Sequence, residues 1–482
     1  MAPHAHGLGL CPMRERCSTV AGVAVTRLRV DELMYAWFAD RDTPMQIGLL
    51  GLFDAQPFQH PDGTIEVARV RGELAARAAN VAALRRRVVW TRLGEGRPFW
   101  VDDPRFDPLD HIDGTVLPTG AEVADWAANR SARLLDHDRP LWRAEIVTGL
   151  PEHRFAVLLV LSHILADGLA AVTLAGTLFD QRPDAAAPTI PTSAALPLPS
   201  HARQLRDRAR SAVGTLRWPR PTATRRHPTG LSALRQFRAA GRDFAGPEPA
   251  TSLPRRIGPG RRMGIVHQSL PQLQRTGHEL GATVNDLLLA AVTGGLRQLL
   301  SARGDNAAGL VLRASVPAAI GRADHQVMNM LVVGLPVGDP DPRRRLASIH
   351  RATTRGKTRL RATGGNVIDL PLPTPVVRRV MCWARRVGSR HMTLAVTDVP
   401  GPRTPLWLAG ARLLSAVPIA PLSTGVSLSV AALSYTDELT VSINADGAIT
   451  DLDVLTDGVA DTFAALHSLA CGDTVDRAQR TS

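Results

Sequence analysis

Apolar residues fall along this chain in two rhythms, one of period near 3.6 and one strand-like, and their alternation lays out its elements. A short helical pattern after residue 26 gives way to a strand from about Gln46 to Phe53. Residues 66–92 place Val70, Leu74, Ala78 and Val81 on one helical face. Phe99-Trp100-Val101 reads as a short strand, 106–111 as a loop, 121–135 as a helix and Leu141 to Thr148 as another strand. Six apolar residues, Ala156 to Leu161, then run without interruption. Such a run predicts a buried strand, and it is too short to span a membrane. Polar chemistry appears abruptly after it, at Ser162 and His163, and a helical run follows from Leu169 to Phe179. This alternation predicts a layered α/β domain ending near residue 180.

The second half repeats the scheme. Met263 to Ser269 reads as a strand and Leu270 to Leu280 as a helix. Thr283 has the chemistry of an N-cap for a long helix reaching about Arg303. Val311 to Val316 is a strand ending at Pro317, and Met328 to Leu335 is another, closed by the turn at 338–342. A basic helix covers 343–361, and strands follow at 393–397, 413–416, 425–433 and 439–444. The last helix spans 451–469. The expected organisation is a disordered extension at 1–24, a first domain at 25–180, a Pro/Arg-rich linker at 181–262, a second domain at 263–470 and a tail at 471–482.

Composition narrows the class. A chain of 482 residues with 44% hydrophobic residues can bury full cores. No apolar run approaches the ~18 residues of a membrane span. Cys11, Cys17, Cys382 and Cys471 form no CxxC pair and no metal-ligand spacing, so reduced thiols in a cytosolic protein and no metal site are expected. The net charge is +13, and Lys357 is the only lysine. Residues 201–262 hold 15 Arg against Asp207, Asp243 and Glu248, which concentrates most of the charge there. Within them, Leu205, Ala209, Val213 and Leu216 make 201–217 amphipathic. Two readings are open: a surface helix of a globular domain, or a basic helix lying on an anionic membrane surface. No interleaved aromatics or motif favour nucleic acid.

A histidine at the exit of a buried strand is fixed by its surroundings and can still face a cleft, where a general base is useful. The alternative is a core histidine satisfied by backbone. The residues around it bear on the choice. Ser162-His163-Ile164-Leu165-Ala166-Asp167-Gly168 resembles the HHxxxDG motif of CoA-dependent acyltransferases, with Ser in place of the first His. Pro44-Met45-Gln46-Ile47-Gly48, Arg139-Pro140-Leu141-Trp142, Gly258-Pro259-Gly260-Arg261-Arg262, Ala282-Thr283-Val284-Asn285-Asp286 and Val399-Pro400-Gly401-Pro402 resemble further stretches of the bacterial wax ester synthase/diacylglycerol acyltransferase family, in the same order. The resemblance covers roughly 25–466.

It implies two chloramphenicol-acetyltransferase-like α/β domains, mixed sheets flanked by helices, with an active-site tunnel between them. It implies O-acyl transfer from acyl-CoA to diacylglycerol, and to a long-chain alcohol in wax ester synthesis, with no cofactor beyond acyl-CoA as substrate. His163 takes the place of the catalytic second His. Asp167 takes that of an aspartate that faces away and pairs with an arginine, although a His–Asp dyad is the competing reading. Gly168 would let the next helix pack closely. Asn285, with Asp286, either shapes the oxyanion site or, with Thr283, caps the long helix. Pro140, Leu141 and Trp142 would line the acyl tunnel. A cytoplasmic enzyme peripheral to the inner membrane or lipid droplets is implied. An acyltransferase for another complex-lipid alcohol and a non-catalytic lipid-binding or droplet paralogue are the alternatives.

Overall fold

A computed structural model of the chain describes residues 18–20, 23–92, 97–186, 188–189, 249–320, 327–363 and 374–481. The strands are β1 (Ser18–Val20), β2 (Val23–Arg27), β3 (Gln46–Asp54), β4 (Arg86–Val89), β5 (Phe99–Asp102), β6 (Ile112–Val116), β7 (Trp142–Leu150) and β8 (Arg154–Ser162), then β9 (Arg261–Ser269), β10 (Leu312–Ile320), β11 (Val327–Leu335), β12 (Leu394–Val399), β13 (Trp407–Leu408), β14 (Ala411–Ile419), β15 (Leu428–Tyr435) and β16 (Glu438–Asp446). The helices are α1 (Val30–Phe38), α2 (Val67–Asn80), α3 (Ala82–Arg85), α4 (Val123–Ser131), α5 (Gly168–Thr177), α6 (Leu270–Glu279), α7 (Val284–Ala302), α8 (Pro342–Thr363), α9 (Thr374–Gly388) and α10 (Leu452–Thr481). They build two mixed six-stranded sheets flanked by helices, ordered β13-β14-β3-β8-β7-β6 and β11-β10-β12-β15-β16-β9, with a small sheet β1-β2-β5-β4 beside the first.

The uninterrupted apolar run is the centre of the first sheet. β8 pairs antiparallel with β3 on one side and β7 on the other. Alternate side chains of a strand point to opposite faces, and here both faces are covered. Phe155, Val157, Leu159 and Leu161 join Val70 and Leu74 of α2 and Leu174 of α5. Ala156, Leu158 and Val160 join Ala127 and Ala128 of α4. Neither face needs polar residues, so the alternation disappears.

The second sheet is covered by α7 and α10, which pack face to face. A Cβ on Gly294 would come within 2.0 Å of Thr462 Oγ1 and one on Gly295 within 2.6 Å of the Leu455 carbonyl, so the two helices touch backbone to backbone there. The halves are tied together at α4 and β9. Asn129 and Arg261 exchange two hydrogen bonds, and Met263 N donates to Asp125 at 2.7 Å.

Several sequence expectations need correction. The first sheet is not confined to 25–180, because β14 pairs along β3 and completes it from the second half. The expected disordered extension at 1–24 contributes β1 and the start of β2, and β2 pairs with β5. The helix expected over 66–92 stops at Asn80, and the valine-rich end becomes β4, paired with β5. Pro317 does not end its strand. β10 runs to Ile320, and Pro317 lies past the pairing with β12, which covers only Ala314 and Ser315, so no ladder bond to that side is lost. β9 starts at Arg261, inside the expected linker. The expected tail 471–482 instead prolongs α10 to Thr481. The basic helix α9 has no counterpart among the expected elements. The amphipathic stretch 201–217 lies outside the described residues.

Candidate active site

β8 ends at Ser162 because the chain turns there. Ser162 N donates to the Leu141 carbonyl at 3.0 Å, its carbonyl accepts from Leu165 N at 2.9 Å, and its Oγ accepts from Ile164 N at 3.3 Å. Ser162 is buried and its hydroxyl serves the turn. The next residue, His163, donates its backbone N–H to the Met45 carbonyl at 2.9 Å. Pro44-Met45-Gln46 and Pro140-Leu141-Trp142 therefore meet at the motif, each clamping one of its peptide groups.

The His163 ring lies flat on Tyr35 of α1, with centroids 4.2 Å apart and planes 9° apart. Its Nδ1 is sealed from solvent and has no hydrogen-bond partner among the described residues. His163 as a whole residue is half-buried. Burial lowers its pKa to about 4, since desolvation penalises the imidazolium. His163 is thus neutral near pH 7, the state in which an imidazole can accept a proton. Burial also pushes the Tyr35 phenol up to about 12, with the charges of Asp167 and Asp31 adding to it.

Asp167 is the N-cap of α5, and its carboxylate accepts from Ala170 N at 3.0 Å. The expected arginine partner is not found: among the described residues no ion pair joins Asp167 to any arginine, and no hydrogen bond joins it to His163. The reason is positional, since five residues past the strand end its side chain turns back on its own helix. Gly168 has ordinary φ. A Cβ there would sit 3.4 Å from Val399 of β12, so the close approach expected at this glycine is mild and is made to the second half.

Asn285 and Asp286 open α7. The cap is made by Thr283 and Asp286, whose side chains each bond the other's backbone N–H, while Asn285 takes no part in it. Asp286 is 1% exposed. It accepts from Thr283 Oγ1 at 2.8 Å, Thr353 Oγ1 at 2.7 Å and His350 Nδ1 at 2.9 Å. Burial alone would raise its pKa, but these hydrogen bonds outweigh it and hold the carboxyl below its ordinary value. Among the described residues no hydrogen bond or ion pair joins Asn285 or Asp286 to His163.

The Pro140-Leu141-Trp142 stretch divides. Leu141 packs with Ile164, Leu28, Leu33 and Val88, beside Tyr35. Trp142 points to the opposite face, where its Nε1 donates to the Leu84 carbonyl at 2.8 Å and its ring stacks on His111 at 4.8 Å. Trp142 is a core residue with its one donor satisfied, and not a tunnel wall. Val399-Pro400-Gly401-Pro402 turns against the end of β15, and a Cβ on Gly401 would fall 2.1 Å from the Ser434 carbonyl. A surface cavity of about 640 Å³, lined by Thr115, Glu122, Trp126 and Arg133 among others, includes none of the motif residues.

Sequence reasoning missed two residues. Tyr35 is one of only two tyrosines in the chain, but nothing local marks a stack between residues so far apart. Asp398, on β12 next to Val399, is a carboxyl whose pKa burial raises to about 6, against the opposing charge of Lys357. Its signal was the lone lysine of the chain.

Comparison with known proteins bears on what this arrangement is for. Residues 29–288 match the profile of the wax ester synthase/diacylglycerol acyltransferase catalytic domain, and residues 327–467 that of the WS/DGAT C-terminal domain. A protein of Mycobacterium tuberculosis named as a probable diacylglycerol O-acyltransferase is 31% identical over 391 residues, 78% of this chain and 82% of that protein. An O-acyltransferase of Acinetobacter baylyi is 26% identical over 361 residues, 72% of this chain and 78% of its own. The solved wax ester synthase/diacylglycerol acyltransferase of Marinobacter aquaeolei superposes with a TM-score of 0.66 at 22% identity, over 92% of this chain and all of that one.

Proposed function

The chain belongs to the wax ester synthase/diacylglycerol acyltransferase family, and we propose that it transfers a long-chain acyl group from acyl-CoA to the hydroxyl of diacylglycerol, giving triacylglycerol, and also to a long-chain alcohol, giving a wax ester. His163 is the general base. Its neutral imidazole takes the proton of the acceptor hydroxyl as that oxygen attacks the thioester carbonyl. The tetrahedral intermediate then expels the thiolate, to which the imidazolium returns the proton, so ester and free CoA leave and the base is regenerated. Removing a hydroxyl proton in this way contributes ~10²–10⁴-fold. No acyl-enzyme is needed, and Ser162, whose Oγ is engaged in the turn, has no part as nucleophile.

The observation that carries this reading is the setting of His163: backbone fixed at a strand end, one nitrogen sealed in, and Nε2 without a partner among the described residues. The two substrates meet there from opposite sides of a passage between the halves. The acceptor lipids are sparingly soluble, so the enzyme works at a membrane or droplet surface. No helix among the described residues is long and apolar enough to cross a membrane. Surface contact is supported by α9, which exposes Trp383 (59%) beside Arg379 and Arg386.

The test is purified protein with labelled palmitoyl-CoA and either dipalmitoylglycerol or hexadecanol, the lipid products being separated. Wild type forms labelled triacylglycerol or wax ester, and His163→Ala loses at least ~10²-fold in rate with an unchanged melting temperature. More than about a tenth of the wild-type rate in that variant overturns the assignment of the base. The pH profile adds a second check. A histidine lowered to about 4 protonates only well below pH 6, so kcat/KM for the free enzyme holds between pH 7.5 and 5.5 and falls toward pH 4. An acid limb centred near 6.5 contradicts a desolvated base.

A further inference from the structure

Resting on His163 as the base, we infer that Tyr35 is its positioning residue: the flat face of the phenol ring, not the hydroxyl, holds the imidazole in its working orientation.

A histidine side chain has a broad, roughly two-fold χ2 well, so something must choose its ring orientation. A hydrogen bond from Nδ1–H to a carbonyl or carboxylate commonly does this. Here that bond is missing among the described residues, for Nδ1 is buried without a partner. What the ring has instead is Tyr35, parallel within 9° at 4.2 Å. A parallel contact this close fixes the plane of the ring by restricting tilt about χ2. It also shuts water from one face of the imidazole. When His163 takes the substrate proton, the electron-rich face of a neutral phenol lies against the new positive charge, a favourable arrangement.

The platform is itself held. Leu33, on the same helix, is buried with Leu28, Val88, Leu141 and Ile164, and Tyr35 packs against that cluster. The C-terminal end of α1 is clamped by α9. Arg385 donates to the Phe38 carbonyl at 2.9 Å, and its guanidinium lies over the Phe38 ring at 5.5 Å. The Tyr35 hydroxyl makes no hydrogen bond among the described residues, which is why the ring, and not the oxygen, carries the role.

The experiment compares Tyr35→Phe, Tyr35→Leu, His163→Ala and wild type in the acyl-transfer assay, with imidazole proton NMR alongside. The His163 Cε1–H resonance is the one absent from His163→Ala. It should be displaced upfield by the ring current in wild type and Tyr35→Phe, and should return toward the ordinary position in Tyr35→Leu. Tyr35→Phe should keep kcat within about threefold, whereas Tyr35→Leu should lose ~10–100-fold in kcat with KM for acyl-CoA little changed, as expected for a misplaced catalytic group. If Tyr35→Leu does not fold, Tyr35→Met replaces it. Wild-type kcat in the Leu or Met variant, an equal loss in Tyr35→Phe, or no upfield resonance in wild type each overturns the inference. An active His163→Ala would strike at the base instead, and the NMR shift, which needs no turnover, tells the two failures apart.

Discussion

Two helix starts invite comparison, one in each half. Both α5 and α7 begin with an aspartate near the N-terminus, where a carboxylate meets free N–H groups and the positive end of the helix dipole. Asp167 of α5 bonds only within its own helix: it is partly exposed, and among the described residues its carboxylate accepts one hydrogen bond, from Ala170 N. Asp286 of α7 is buried and reaches beyond its own helix, to His350 and Thr353 of α8. The same residue type at the same kind of position is a local cap in one half and a joint between two helices in the other. The helix start beside the candidate base is the lightly held one, and the heavily bonded one lies in the scaffold.

The contrast can be broken from its stronger side first. Asp286→Ala removes the acceptor shared by the buried Thr353 hydroxyl, the Thr283 cap and the half-buried His350 ring, and should cost about 2 kcal/mol, read as a lower urea midpoint. A loss below about 1 kcal/mol would put Asp286 on a par with Asp167. Asp167→Ala should cost about 1 kcal/mol, the usual value of an N-cap. Smallest is Asp167→Asn, because Asn caps as well as Asp and only the dipole term of about 0.3–1 kcal/mol is at stake. Turnover in Asp167→Asn should stay near wild type. A stable but inactive Asp167→Asn protein would revive the His–Asp dyad, and the comparison would then be between a catalytic and a structural aspartate.

These two starts also show how far sequence reading reaches. The capping of α7 was legible at Thr283, because capping is a local matter, but its partner is Asp286, three residues on, and not the expected Asn285. β8 was legible because burial on both faces leaves an unbroken apolar run. The place of His163 at its exit followed from the same run. Long-range partners were not legible. Nothing near Asp286 announces His350, nothing near His163 announces Tyr35, and nothing near Ala411–Ile419 says that this strand crosses to the first sheet. Trp142 was misplaced for a related reason: a strand alternates faces, and only the register of β7 against β8 decides that Leu141 lies beside the motif while Trp142 enters the core. The helix α9 did carry a local signal, with Val377, Val380 and Met381 at helical spacing among arginines.

The crossing strand has a consequence for how the protein comes into being. β3 pairs with β14 from Gly48 to Phe53, so the first sheet cannot be finished until the ribosome has delivered Ile419. Until then β3 presents an unpaired edge, the kind of surface on which nascent chains associate wrongly. Contacts so distant in sequence also make for slow folding. A fragment ending after α5 should therefore be poorly soluble on its own, and the two halves are better regarded as one folding unit whose last stitch is made from the C-terminal side.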